Sequence, residues 1–230
     1  MERIQARNSI NYQVPAWFEA FDPSKRLITG TTYCFFKRLG DILFVLVTAP
    51  FWLFLVLIIA ALIKLTSPEG PVIFTQERTG RGGKRFQMYK FRTMVHNAEE
   101  LKARYRHLNE LEWPDFKITD DPRATSIGRL LRKTSLDELP QMFNILKGEM
   151  SMVGPRPTSF RAENYELWQT ERLDAIPGLT GLWQITGRAS LFYDQRVRLD
   201  IAYLSRRSLL LDFIILLRTI PSVLKQRGAK

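Results

Sequence analysis

The stretch ILFVLVTAPFWLFLVLIIAALI, Ile42 to Ile63, is uncharged over 22 residues, carries one conspicuously polar side chain, Thr48, and holds a proline at Pro50. As a helix rising about 1.5 Å per residue it extends roughly 33 Å, enough to cross the hydrocarbon core of a bilayer. Pro50 lacks a backbone donor and clashes with the preceding turn, which costs about 3 kcal/mol in an ordinary helix interior. Two readings follow: a single span with a kink of the sort membrane helices accommodate, or a helix that bends at Ala49-Pro50 and leaves by the face it entered. Basic residues flank the run on both sides, Lys37-Arg38 before it and Lys64 after it. Positive charge marks the cytoplasmic side, so a plain span strands one cluster on the wrong face. The run begins too late and lacks the small-residue cleavage site of a signal peptide.

Outward from the run, the 230-residue chain reads as one catalytic-size domain plus a membrane segment. Lys and Arg outnumber Asp and Glu 34 to 23, a formal net charge of +11. Such a balance points to anionic partners, and beside a membrane segment these are acidic headgroups or phosphorylated substrates rather than nucleic acid, whose binding motifs are not apparent. Cys34 is the only cysteine, which excludes an internal disulfide and fits a reducing compartment. Its place just ahead of the run admits palmitoylation, against the simpler reading of an unreactive thiol.

The organisation expected along the chain is as follows. Residues 1–36 form a loosely structured extension broken by Pro15, Pro23 and Gly30. Residues 37–65 form the membrane helix, ended by Ser67-Pro68-Glu69-Gly70-Pro71, and residues 66–230 the catalytic domain. Val72 to Gln76 and Phe86 to Phe91 read as a small hairpin around Gly80, Gly82 and Gly83. Helical composition marks Asn97 to Glu112, Ser126 to Lys133, a segment beginning near Ser135, Arg161 to Arg172, Tyr193 to Ser205 and Leu209 to Lys225. The last is apolar but interrupted by Asp212 and Arg218, so it reads either as a core helix or as an amphipathic helix in the headgroup layer, with Arg218, Lys225, Arg227 and Lys230 meeting acidic lipid. The fold class is α+β, mostly helical.

For chemistry, two histidines, His96 and His107, both beside charged sequence, leave little room for a Ser-His-Asp or Cys-His site. Gly80 to Lys84 fails as a phosphate loop, since Arg78 stands at the first required glycine and Arg85 at the Ser/Thr position. Asp120-Asp121 reads as a turn before Pro122, with metal ligation as the rival. In Ser135-Leu136-Asp137-Glu138, Ser135 and Glu138 fit a capping box. The same geometry has a functional reading: a helix N-terminus offers donors to phosphate oxygens, and a carboxylate held there can attack phosphorus, with Arg129, Arg132 and Lys133 screening the repulsion. Arg156, between Pro155 and Pro157, has a fork suited to phosphate on a restricted backbone. Lys90 and Arg188 complete the cationic candidates.

Seven pieces occur in order: Lys37-Arg38 leading into the run, Gly70 to Arg78, Tyr89-Lys90-Phe91-Arg92-Thr93-Met94, Ser135 to Gln141, Lys147 to Ser151, Gly154-Pro155-Arg156-Pro157 and Pro177-Gly178-Leu179-Thr180-Gly181. Together they closely resemble the bacterial sugar transferase family, the monotopic polyprenyl-phosphate phosphoglycosyl transferases, from about Phe36 to Lys225. The resemblance implies transfer of a sugar-1-phosphate from a UDP-sugar to undecaprenyl phosphate with release of UMP, the first membrane step of exopolysaccharide or glycoconjugate synthesis. It implies Asp137 as the nucleophile that forms an aspartyl-phosphosugar intermediate, and Glu138, beside Asp137, as the carboxylate associated with Mg²⁺. Lys90, Arg132, Arg156 and Arg188 fall on the family's phosphate-holding positions.

The resemblance further implies a re-entrant helix broken at Pro50, a catalytic domain on the cytoplasmic face of the bacterial inner membrane among acidic lipids, and compatibility with a homodimer. UDP-glucose or UDP-galactose is favoured over N-acetylated donors. The family often has Ser where Ala49 stands, and Thr48 is the residue that could replace its hydroxyl. Two rivals remain: a metal-dependent glycosyltransferase using Asp120-Asp121 and releasing UDP, and a non-catalytic cationic membrane scaffold in which Ser135 to Glu138 merely cap a helix.

Overall fold

The computed structural model describes residues 14–110, 118–186 and 191–224. The apolar run belongs to two helices, α2 (Gly30–Val47) and α3 (Ala49–Thr66), which follow a short α1 (Ala16–Glu19). The break falls at Thr48, so Pro50 lies in the first turn of α3, where a missing N–H costs no helical bond. The carbonyls freed at the end of α2 find other donors. Thr48 donates both its N–H (3.0 Å) and its hydroxyl (2.7 Å) to the Phe44 carbonyl, and the Trp52 indole donates to the Val45 carbonyl at 2.9 Å. Thr48 thus supplies the hydroxyl that Ala49 lacks.

Both arms pack on one body. Along α2, Lys37 pairs with Asp212 at 2.8 Å, Arg38 donates to the Ile145 and Leu146 carbonyls, and Asp41 accepts the Met152 N–H at 3.1 Å. Along α3, Trp52 meets Phe143 edge-on, and Ile59 and Ile63 join a cluster with Phe91 and Leu131. The outer faces stay apolar and open, with Val47, Phe51, Phe54, Leu57 and Leu65 all more than half exposed. Among the described residues α3 is the one helix long and apolar enough to cross a membrane, and little of it is buried.

The expected hairpin forms as β1 (Ile73–Thr79) antiparallel to β2 (Arg85–Phe91), in register from Ile73 opposite Phe91 to Thr79 opposite Arg85. Its turn needs glycine at Gly82 and Gly83, which hold φ of 62° and 77°. Asn144, wholly buried, joins α5 (Gln141–Lys147) to β2: its side chain accepts the Tyr89 N–H at 3.0 Å and donates to the Gln87 carbonyl at 2.7 Å. A parallel pair, β3 (Ser151–Val153) with β4 (Gly178–Thr180), was not expected from the sequence. It brings two motifs together so tightly that a Cβ on Gly178 would fall 2.0 Å from the Gly154 nitrogen. Helices α4 (Ser126–Thr134), α6 (Leu182–Thr186), α7 (Tyr193–Arg206) and α8 (Leu209–Leu224) complete the body.

Several expectations need correction. The extension is not loose throughout: Gly30 to Phe36 is helical, Phe18 is fully buried, and Arg206 and Arg218 lie over the Phe18 and Trp17 rings at 5.1 and 4.3 Å. Asn97 to Glu112 holds only 3₁₀ turns, Glu100–Lys102 and Arg106–Leu108, over its described part; its helix-prone residues have no packed apolar face to stabilise them. Arg161 to Arg172 is 3₁₀ rather than α, in Ala162–Asn164 and Leu167–Asp174. Residues three apart eclipse in that winding, which turns Gln169 and Arg172 inward together, both buried.

The capping-box reading of Ser135 also fails. Ser135 takes a left-handed conformation (φ 58°) that terminates α4, and its side chain makes no capping bond. Helix α8 packs one face into the core, burying Leu211 and Ile215 completely, and leaves Leu210, Phe213, Leu217 and Ile220 open on the other. Each buried side chain contributes about 1.5–3 kcal/mol. Lys225, Arg227 and Lys230 lie outside the described residues.

The break geometry generates a prediction. Trp52→Phe keeps a ring on Phe143 but leaves the Val45 carbonyl only the 3.5 Å contact from the Thr48 hydroxyl, so it should destabilise the protein by about 1–3 kcal/mol, read as a lowered thermal midpoint in detergent. Thr48→Val should cost less, because the Phe44 carbonyl retains the Thr48 N–H.

Candidate active site

The turn Leu136–Glu138 joins α4 to α5. Leu136 and Leu139 anchor it against the Phe91–Leu131 cluster, while Asp137, 9% exposed, and Glu138 carry the adjacent carboxylates. Pro140 follows as the N-cap residue of α5. The two acids therefore sit on a short, pinned segment between helices rather than inside one.

Three elements bring cations to this turn. Alternation along β2 buries Phe91 and sends Lys90 the other way, with its Nζ 2.9 Å from Glu138 Oε1 and 3.8 Å from Asp137 Oδ2. From the loop after β3, Arg156 spans both Glu138 oxygens, Nη2 on Oε1 and Nη1 on Oε2 at 3.3 Å. From α4, Arg132 donates to the Thr93 hydroxyl at 2.9 Å and lies in the field of Asp137. Lys90, Arg132, Arg156, Asp137 and Glu138 are thus brought together from the sequence candidates. Arg188 lies outside the described residues.

The two carboxylates differ. Burial disfavours charge on Glu138, but Arg156 and Lys90 outweigh it and hold the carboxyl well below its ordinary range. Asp137 is raised, by burial first and also by the neighbouring Glu138, with Lys90 opposing. Glu138 is a fixed anion with both oxygens engaged. Asp137 has only the longer Lys90 contact as an ion pair, which leaves its oxygens available to an incoming electrophile.

Arg78 was missed as an individual candidate, although it closes the quoted motif beginning at Gly70. It projects from β1 beside Arg156, and its Nε is shielded from solvent without a hydrogen-bond partner. Burial and the Arg156 charge lower it to about 10, still cationic at neutral pH. Four cations then face two carboxylates, an excess that suits a diphosphate. A guanidinium on a strand otherwise resembles a surface residue, and the only signal in the sequence was its position in the motif.

The rival metal site dissolves. Asp121 gives both oxygens to Arg123, accepting Nε at 2.9 Å and Nη2 at 2.6 Å, in a pair with side chains 4% exposed. Among the described residues no cluster of three or more potential metal-ligating side chains occurs. Asp137 and Glu138 are hard oxygen donors, and a Mg²⁺ ion characteristically takes one or two carboxylates and completes its shell from substrate phosphate and water. The donor set fits such an ion only together with a phosphorylated substrate.

A family model described as bacterial sugar transferase matches residues 32–226. The chain is 46% identical over 169 residues to Galactosyl transferase CpsE of Streptococcus agalactiae, covering 73% of this chain and 38% of that protein. It is 44% identical over 204 residues to Undecaprenyl-phosphate galactose phosphotransferase of Salmonella typhimurium, covering 85% of this chain and 42% of that one. With Exopolysaccharide production protein ExoY of Rhizobium meliloti it shares 41% over 198 residues, 84% of this chain and 87% of the relative. The chain therefore spans about two fifths of the first two relatives and nearly all of the third. The matched region runs from the first arm of the broken helix through the carboxylate turn to the end of α8, and over that whole stretch the chain belongs to the bacterial sugar transferase family.

Proposed function

We propose that this chain transfers a sugar-1-phosphate from a UDP-sugar to undecaprenyl phosphate, releasing UMP, through a covalent intermediate on Asp137. The observation that carries the reading is the asymmetry of the carboxylate pair: Glu138 is immobilised by Lys90 and Arg156, while Asp137 stands beside it with oxygens to spare. An Asp137 oxygen attacks the phosphorus that bears the sugar. The bond from that phosphorus to the bridging oxygen breaks, and UMP departs with the electron pair. A phosphate oxygen of undecaprenyl phosphate then attacks the same phosphorus and displaces the Asp137 carboxylate, giving a diphosphate-linked lipid sugar.

The acceptor phosphate is already an anion, so its attack requires no strong base, in keeping with a site built, among the described residues, from carboxylates and cations. Lys90, Arg78, Arg132 and Arg156 hold the phosphate charge in place, which is most of what phosphoryl transfer needs from a protein. Asp137 and Glu138 are the carboxylates that would hold a Mg²⁺ ion once substrate draws Lys90 or Arg156 away from Glu138, and the ion would add positive charge against the diphosphate. Two of the relatives carry galactose or galactosyl in their names, and UDP-galactose is the first donor to test here, with UDP-glucose second.

The membrane placement belongs to the same reading. The helix breaks at Thr48–Pro50, both arms return to one body, and an apolar face remains open along them. These features support a re-entrant helix that leaves the whole domain on the cytoplasmic side of the inner membrane, within reach of a polyprenyl phosphate head.

Two experiments test the proposal. Incubated with UDP-galactose or UDP-glucose and undecaprenyl phosphate, the protein should release UMP. Release of UDP would favour direct glycosyl transfer, and no turnover with any UDP-sugar, N-acetylated donors included, a scaffold. In the same assay Asp137→Asn should lose about a thousandfold or more in rate with its thermal midpoint nearly unchanged. For topology, reagent-accessible tags at residues 1 and 230 should both label from the cytoplasmic side; labelling from opposite sides would establish a plain span.

A further inference from the structure

Behind the Pro155-Arg156-Pro157 loop lies an ion pair that no step above uses. Arg172, from the 3₁₀ segment Leu167–Asp174, meets Asp200 of α7 at 2.6 Å, with side chains 5% and 1% exposed. The same Nη2 donates to the main-chain carbonyl of Arg156, also at 2.6 Å. Gln169, one 3₁₀ turn before Arg172, donates to Asp194 at 3.3 Å and ties the segment to α7 a second time.

The loop explains why that carbonyl matters. Pro155 and Pro157 have no N–H, so the backbone on either side of Arg156 has fewer ways to be held. The Gly178 N–H fixes the Pro155 carbonyl and the Thr79 N–H fixes the Thr158 carbonyl, each at 2.9 Å. Between those two anchors, Arg172 holds the Arg156 carbonyl. The direction of that peptide sets the direction of the Arg156 side chain, whose fork spans both oxygens of Glu138. A buried pair is a poor device for stability alone, because its desolvation cost offsets much of the attraction, and an apolar pair of similar volume often serves as well.

We propose that Asp200 and Arg172 form a positioning relay for the reaction: Asp200 orients Arg172, Arg172 fixes the Arg156 carbonyl, and the fixed backbone aims the Arg156 guanidinium at Glu138 and the substrate phosphates. The inference rests on the phosphosugar-transfer reading above, in which Arg156 contacts substrate. In the relay Asp200 and Arg172 stand behind the Arg156 backbone and act through it.

A double-mutant cycle on the full-length protein in detergent or nanodiscs tests it. UMP release is measured for the wild type, Asp200→Asn, Arg156→Lys and the double variant, with thermal midpoints recorded in parallel. Lysine keeps the charge at position 156 and loses the fork, so turnover remains measurable while the quantity being aimed is removed. Asp200→Asn should lower kcat/KM about tenfold in the wild-type background and by under about twofold in the Arg156→Lys background, the coupling expected of groups that act through one another. Equal factors in both backgrounds would overturn the relay and leave the pair a packing feature. Arg172→Lys keeps the charge facing Asp200 but cannot hold both acceptors from one planar fork, and it carries the same expectation if Asp200→Asn misfolds. The same cycle read as UDP affinity by calorimetry keeps the two proposals apart: a wild type that releases no UMP contradicts the functional reading, whereas additive losses in UDP affinity contradict the relay.

Discussion

Adjacent carboxylates in one buried turn repel each other and lose hydration, and the arrangement persists only if cations from elsewhere are brought to it. Here the cations come from a strand (Lys90), a proline-bounded loop (Arg156) and a helix (Arg132). The contact from Arg156 and Lys90 to Glu138 is the constraint the rest of the structure serves. Removing one partner from such a buried cluster costs about 3–5 kcal/mol, because it strands a charge away from water. The hairpin sets the height of Lys90, and the β3–β4 junction, with Gly154 and Gly178 almost in contact, sets the base of the Arg156 loop. The asymmetry of the two acids follows from this placement: the cations converge on Glu138 and leave Asp137 comparatively open.

The broken helix and the site are mechanically joined. The last carbonyls of a helix have no intrahelical donor, and at the end of α5 the Arg38 guanidinium of the first arm supplies one to Ile145 and Leu146. Helix α5 begins directly after the carboxylate turn and ends at its cap residue Gly148, so the arm that carries the apolar face also holds the last carbonyls of the helix that follows the site. Asp41 repeats the arrangement one turn on, accepting the Met152 N–H in β3, the strand that leads into the Arg156 loop. An arm seated in a bilayer would thereby fix the height of Asp137 above the lipid surface.

The hairpin was legible in the sequence because it is local, with glycines between β-prone stretches; the proline in the apolar run left a span and a broken helix both open, and Asp137 and Glu138 were singled out as a helix start and given their roles by the resemblance. The sequence was silent where structure depends on residues far apart. Strands of three residues leave no periodic pattern, so β3 and β4 were invisible. Arg172 and Asp200 carry no signal of their own in the sequence, and Arg78 only its place in a motif, until distant segments enclose them. Ser135 misled for a different reason. Its spacing from Glu138 matches a cap, but the left-handed turn that ends α4 places it at a helix end rather than a beginning. The described part of Asn97 to Glu112, through residue 110, shows the complementary error, in which helix-favouring residues without an apolar face to bury settle for isolated 3₁₀ turns.

The central claim is chemical: the Asp137 side chain becomes an acyl phosphate carrying the sugar. Mixing the protein with UDP-galactose or UDP-glucose in the absence of undecaprenyl phosphate, quenching in acid and weighing the digested peptides tests it most directly. The account predicts a peptide containing Asp137 heavier by one hexose phosphate, the adduct vanishing when acceptor is added before the quench. An enzyme that makes product while the Asp137 peptide stays unmodified throughout, under donors it demonstrably consumes, would contradict it.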